Sequence, residues 1–317
     1  MSYYDEDDLD IGVKGGMYKN SAVWASGDNK SYFPSDVQNV RESLPPGEYT
    51  IGVDIMRGLY FLNHNTAFDT MINLHDTVAE ELVQYVDKFW TMEDRFKQFG
   101  YIWKRGILMY GPPGSGKTTT LQLAARSLIA KGGIVIYSDS PSVLANALGV
   151  VRTIEPTRPI IVVLEDIDII LGSGSENNEK LTHLLDGEYQ VHNIVFIATT
   201  NYIENLDTRL TNRPSRFDLV KYVGMPGAEA RKTYIEEVLC RSGDSVDNID
   251  EWVTRTGGYS VAHLKELIIS VRLFGNDFED AIATLDKLIR GDHGGVDDPK
   301  INRNTTESIN TTHHRVD

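Results

Sequence analysis

Gly111-Pro112-Pro113-Gly114-Ser115-Gly116-Lys117-Thr118 fits the pattern GxxxxGK[ST] at every required position. Three glycines free the backbone to fold around phosphate oxygens with its N–H groups pointing inward. Lys117 supplies a point charge for the β- and γ-phosphates, and the Thr118 hydroxyl is a ligand for Mg²⁺. Thr119 opens an apolar helix to Leu128, whose positive end faces the same phosphates. A second group comes after the apolar run Ile160–Leu164, where Glu165-Asp166-Ile167-Asp168 places carboxylates at a strand end. Such a pair can hold a metal and activate water. By position Glu165 is assigned to the Mg²⁺ shell, through water, and Asp166 to the attacking water; Asp168 organises the turn. Asn201, after Ile194–Thr200, is an uncharged amide that can orient that water, although an asparagine after a strand also serves simply as a turn residue. Arg213 and Arg216, three apart on a connection expected to be exposed before another strand, carry permanent forked charge suited to transition-state phosphate oxygens. Surface salt bridging is the alternative fate of both.

These groups need a scaffold that brings strand ends together. Five apolar runs, Gly106–Tyr110, Gly133–Tyr137, Ile160–Leu164, Ile194–Thr199 and Leu219–Val223, are separated by helical or loop segments. Near-continuous apolar strands with long crossovers predict an α/β fold, a mostly parallel sheet with helices on both faces. Val78, Leu82, Tyr85, Val86 and Phe89 recur on one helical face, with Thr77 and Glu80 at capping-box spacing. Upstream, alternation at Ile51, Val53 and Ile55, then Leu59–Leu62, predicts a β-hairpin that packs on the α/β core. The expected organisation is an N-terminal arm and hairpin segment over 1–70, an α/β nucleotide-binding core over 71–225, a helical unit over 226–290 and a disordered tail over 291–317. Residues 1–46, rich in Gly, Ser, Asn and Asp, read as a flexible arm or loosely packed lead-in.

Among 317 residues, Lys+Arg 31 against Asp+Glu 46 leaves a net charge of −15. That balance argues against broad nucleic-acid binding, which relies on basic surface to displace counterions. Cys240 is the one cysteine, so an internal disulfide or a Cys-rich zinc site is excluded. No apolar stretch approaches the ~20 residues of a membrane span, and Asp5-Glu6-Asp7-Asp8 stands where a leader would be basic. The expectation is a cytoplasmic protein.

Over roughly residues 70–290 the chain resembles the AAA family of P-loop ATPases. GPPGSGKT resembles its Walker A motif, VVLEDID its Walker B with the usual acid order reversed, TTN with Asn201 its sensor 1, and RLTNRPSRFD its arginine-finger region. Gly258–Leu264 resembles the start of the lid helix, which puts Val261 and Ala262 beside adenine and ribose. The resemblance implies a P-loop NTPase fold with a small helical lid, ATP/ADP and Mg²⁺ as ligands, and a homo-oligomeric ring of six or seven subunits with fingers acting in trans on a neighbour's ATP. It also implies work on a protein partner whose identity no motif gives. Phe96–Tyr110 and the reversed Glu165-Asp166 pair are similar to the mitochondrial Rieske-protein translocase branch, but with a different N-terminal segment and no span. The interval Ser138–Pro159 carries no aromatic–x–Gly pore loop, with a helix expected from about Leu144, so polypeptide threading is disfavoured. Two rival classes stand beside a remodelling ATPase: a nucleotide-gated scaffold with slow hydrolysis, and a DNA-associated loader.

Overall fold

The structure, a computed structural model, describes residues 23–25, 30–35, 42–55, 58–64, 72, 78–172, 175–187, 192–207, 210, 213, 215–245 and 248–290. The expected tail over 291–317, the acidic run at 5–8 and the Thr77 cap lie outside them. The strands are β1 (Val23–Ala25), β2 (Ser31–Ser35), β3 (Gly47–Asp54), β4 (Gly58–His64), β5 (Lys104–Tyr110), β6 (Ile134–Tyr137), β7 (Ile160–Leu164), β8 (Ile194–Thr200) and β9 (Leu219–Tyr222). They form one nine-stranded sheet in the order β1-β2-β4-β3-β6-β7-β8-β5-β9. From β3 to β9 every pairing is parallel; β1, β2 and β4 extend the sheet antiparallel.

Alternate residues of the parallel strands serve two cores. Ile134, Ile136, Val162, Phe196 and Leu108 face one way, while Val135, Ile161, Val163, Ile197 and Met109 face the other. Burial on both faces is what makes these runs continuously apolar. Helices α1 (Val78–Trp90) and α3 (Lys117–Ala130) pack together over the second face. Helices α4 (Pro141–Ile154), α5 (Ile167–Gly172) and α6 (Ser175–Asp186) cover the first. Between α1 and β5 lies the short α2 (Glu93–Phe99), which buries no side chain fully. After β9 come α7 (Ala228–Ser242), α8 (Ile249–Arg255), α9 (Val261–Ile268) and α10 (Phe278–Arg290), with a separate core around Ile235, Trp252, Leu264 and Ile282. Among the described residues no helix is long and apolar enough to cross a membrane.

Three expectations need correction. The reading of 1–46 as a flexible arm or loosely packed lead-in fails at Trp24 in β1, Tyr32 in β2 and Leu44 before β3, all of them buried. Glu155 accepts hydrogen bonds from Trp24 Nε1 at 2.9 Å and Leu44 N at 2.8 Å, and pairs with Arg158 at 3.2 Å. Three anchors spread among polar residues make no periodic pattern, so only their distant partners reveal them. Second, α4 begins at Pro141 rather than near Leu144, with Ser140 as N-cap. The Ser-Pro pair was the available signal. Third, β9 alternates between half-buried and exposed residues instead of burying both faces, because it is the sheet edge. The hairpin forms as β3 and β4, and its contribution is larger than expected, since β3 pairs in parallel with β6.

Candidate functional site

The three loops that carry the candidate residues leave the C-terminal ends of β5, β8 and β7, which are adjacent in the sheet. That edge is where open parallel sheets bind ligands. The phosphate-binding loop leaves β5 with Gly111, Gly114 and Gly116 at φ of 154°, 74° and 100°. Gly111 is confined as well, since a Cβ there would lie 2.1 Å from the Val223 carbonyl oxygen. Pro112 is half-buried and Pro113 exposed on the outer side of the turn. Ser115 Oγ is buried without a hydrogen-bond partner among the described residues, as expected of a loop shaped around an anion.

Lys117 is 7% exposed, and its Nζ donates to Gly111 O at 2.8 Å, Pro112 O at 3.0 Å and Asn201 Oδ1 at 2.7 Å. Burial lowers its pKa, and the nearby Asp166 carboxylate partly opposes that shift. An ammonium ringed by oxygen acceptors is set to exchange them for phosphate oxygens. Thr118 Oγ1 donates to Glu165 Oε1 at 3.0 Å. A hydroxyl and an exposed carboxylate at that separation are hard oxygen donors that fit Mg²⁺.

Asp166 has φ 47°, left-handed backbone that few non-glycine residues adopt and that aspartate tolerates. Its N–H donates to Thr199 Oγ1 at 3.2 Å, and Asn201 Nδ2 donates to its Oδ1 at 3.4 Å. Thus Asn201 touches both Lys117 and Asp166. Asp168 accepts from Thr200 Oγ1 at 2.7 Å, which ties the turn to β8.

A cavity of about 320 Å³ beside the loop is lined by Thr119, Val261, Ile72, Val78 and Met225, among others. Val261 therefore reaches the site, whereas Ala262 is exposed and does not line the cavity. Ser260 caps α9 and lies so near the loop that a Cβ on Gly114 would stand 2.8 Å from its Oγ. Ile72 and Met225 escaped sequence reasoning, since isolated apolar residues in connecting segments carry no motif, and Val78 was read only as part of the apolar face of α1.

The arginines behave differently from one another. Arg213 is exposed, and its Nη1 lies 3.8 Å from Asp186 Oδ2. Arg216 is 4% exposed and binds Asp186 with two hydrogen bonds, Nε–Oδ1 at 2.9 Å and Nη2–Oδ2 at 2.8 Å. The expectation that both sit on an exposed connection is therefore wrong for Arg216. Asp186, which ends α6 beside it, pairs the buried guanidinium. This segment is locked to β5: a Cβ on Gly106 would fall 1.8 Å from Arg216 O, and Asp218 accepts from Gly106 N and Arg105 at 2.9 Å each.

Residues 107–225 match the family model "ATPase family associated with various cellular activities (AAA)". The chain carries an AAA ATPase domain. The chain is 30% identical over 248 residues to the ATP-dependent zinc metalloprotease FtsH of Cupriavidus metallidurans, covering 68% of this chain and 37% of that protein. It is 29% identical over 268 residues to FtsH 2 of Sphaerobacter thermophilus, covering 78% and 38%. It is 31% identical over 200 residues to the ATPase family protein 2 homolog of Caenorhabditis elegans, covering 57% and 27%. The chain thus spans less than two fifths of the length of these relatives. ATP, Mg²⁺ and ATP hydrolysis belong to AAA domains, and the fold matches that chemistry.

Proposed function

We propose that this chain is a Mg·ATP-hydrolysing ring subunit that couples turnover to remodelling or translocating a protein partner. One observation carries the reading: Lys117, Asn201 and Asp166 form a continuous hydrogen-bonded chain beside the Thr118–Glu165 pair. In it, Lys117 and the loop amides of Gly111–Gly116 bind phosphate, while Thr118 and Glu165 hold Mg²⁺. Bound Mg²⁺ supplies charge neutralisation at the β- and γ-phosphates. Asp166 accepts the proton of the attacking water, and Asn201 fixes that carboxylate and the water together. Thr119, Val261, Ile72 and Met225 surround the adenine. Arg213 reaches out to the phosphates of a neighbour. Arg216 would act there only by exchanging Asp186 for phosphate, and otherwise it holds the loop.

The narrower likeness to the Rieske-translocase branch rests on Phe96–Tyr110 and the reversed acid pair. The connection from β6 to α4 is only Ser138-Asp139-Ser140, too short for an aromatic grip and in keeping with handling a partner other than by threading. A reducing, cytoplasmic setting suits the one cysteine. The test is a pair of variants. Lys117→Ala is expected to abolish ATP binding. Asp166→Asn is expected to bind ATP with hydrolysis lowered by about 10²–10⁴-fold. Wild-type hydrolysis by Asp166→Asn would remove the base from the mechanism.

A further inference from the structure

Glu48 in β3 is 4% exposed, although it stands beside the apolar strand β6. A carboxylate taken out of water is costly unless it is hydrogen-bonded. The register of the sheet supplies its partner. In the parallel pairing of β3 with β6, Glu48 lies beside Val135 and Thr50 beside Tyr137. Alternate residues of a strand share a face, so Glu48 and Tyr137 lie with Val135 on the side of the sheet that α1 and α3 cover. There the Tyr137 hydroxyl donates to the Glu48 carboxylate. Burial, reinforced by the Glu48 and Glu165 carboxylates, holds the phenol above its ordinary pKa. Tyr137 is therefore neutral, and its O–H proton is committed to Glu48.

Tyr137 is also the last residue of β6, opposite Val163 in β7. Glu165 comes two positions after Val163, just past the end of β7, where Thr118 Oγ1 donates to it at 3.0 Å. Thr118 belongs to the first turn of α3, which packs on β3, β6 and β7 alike. One face of the sheet thus carries Glu48, Tyr137 and Glu165 on three neighbouring strands or their ends. A phenol with its proton free beside Glu165 would donate to that carboxylate and compete with a cation for its oxygens. With the proton held by Glu48 it cannot. Glu48 lies outside residues 107–225, which match the family model, so the hairpin brings in a group that neither the phosphate loop nor the acid pair supplies.

We infer that Glu48 of the N-terminal hairpin is a positioning residue for the Mg²⁺ end of the nucleotide site, acting through Tyr137, whose proton it keeps away from Glu165. The inference rests on the assignment of Glu165 to the Mg²⁺ shell made above. It is tested on the full chain by calorimetric binding of the β,γ-imido analogue of ATP, with saturating Mg²⁺ and with a chelator. The ratio of the two affinities is the gain due to Mg²⁺. Glu48→Ala frees the phenol and is expected to lower that gain by about three- to tenfold, the worth of one hydrogen bond to a charged group, with the metal-free affinity unchanged. Adding Tyr137→Phe removes the competing proton, so the double variant is expected to recover most of the gain, a suppression that a merely structural role does not produce. An unchanged gain in Glu48→Ala, an equal loss with and without Mg²⁺, or a double variant no better than Glu48→Ala each overturns the inference. Glu48→Met, which fills the same space without an acceptor, takes the place of an alanine variant that does not fold. Glu165→Gln separates the two readings. Loss of its gain beside a wild-type gain in Glu48→Ala overturns this inference alone, whereas a wild-type gain in Glu165→Gln overturns the Mg²⁺ assignment and the inference with it.

Discussion

Lys117 is buried among carbonyl and amide oxygens, so its charge is desolvated before any phosphate arrives. In the proposed mechanism, exchange of those acceptors for phosphate oxygens would couple nucleotide binding to Asn201 and, through it, to Asp166. Asn201→Ala is therefore expected to lower kcat by about 10²-fold with a smaller change in KM, read from steady-state kinetics. Asp186 offers a pH test. The hydrogen bond from Arg216 holds its carboxyl below the usual carboxylate range. A depressed folded pKa means the stabilisation is complete above the unfolded value, about 4, and is lost as pH falls through the folded value. The Tm gap between wild type and Asp186→Asn is expected to be constant from pH 7 to about 5 and to close below about 4. A gap that does not narrow at any pH below about 4 would assign the effect to packing.

At the scale of elements, the finger segment is placed by a strand rather than by its own sequence. Gly106 in β5 admits the Arg216 carbonyl where any side chain would collide. Gly106→Ala is expected to cost about 1–3 kcal/mol in denaturant unfolding and to impair hydrolysis in assembled protein while sparing ATP binding. The other end of the sheet is held by Glu155, which takes Trp24, the Leu44 amide and Arg158 in one buried group. Arg152, whose pKa burial pulls down to about 10, closes the same corner through Arg158 O and Asn193 O. Glu155→Ala leaves Arg158 without its carboxylate partner at that corner, a loss of about 3–5 kcal/mol. Hydrogen exchange is expected to rise first in β1, β2 and residues 42–46, with β7 and β8 protected.

For the molecule as a whole, a net charge of −15 opposes association unless faces are complementary. In the proposed ring, the exposed Arg213 would face the phosphates of a neighbour's ATP. Specific ATPase activity is therefore expected to rise with protein concentration and to fall at high salt, measured by dilution at fixed ATP. A rate per subunit that is flat across the assembly range would exclude shared sites. The sheet also joins what the sequence divides into segments. β3 lies parallel beside β6, so the N-terminal hairpin is continuous with the nucleotide-binding strands.

The phosphate-binding loop, the acid pair and the strands β5 to β8 were legible in the residues alone. Glycine spacing, adjacent carboxylates and runs buried on both faces are local consequences of chemistry, written in consecutive positions. Val261 and Asn201 were legible too, through their place in motifs. The rest is non-local. Trp24, Tyr32 and Leu44 make no pattern together: a glutamate more than a hundred residues away holds Trp24 and the Leu44 amide, and Tyr32 packs on Tyr49. Arg213 and Arg216 look alike in sequence, yet the end of α6 brings Asp186 to one of them as a buried partner and leaves the other exposed. Whether an arginine points outward depends on which carboxylate the packing of distant helices brings to it, and that is decided by the tertiary fold.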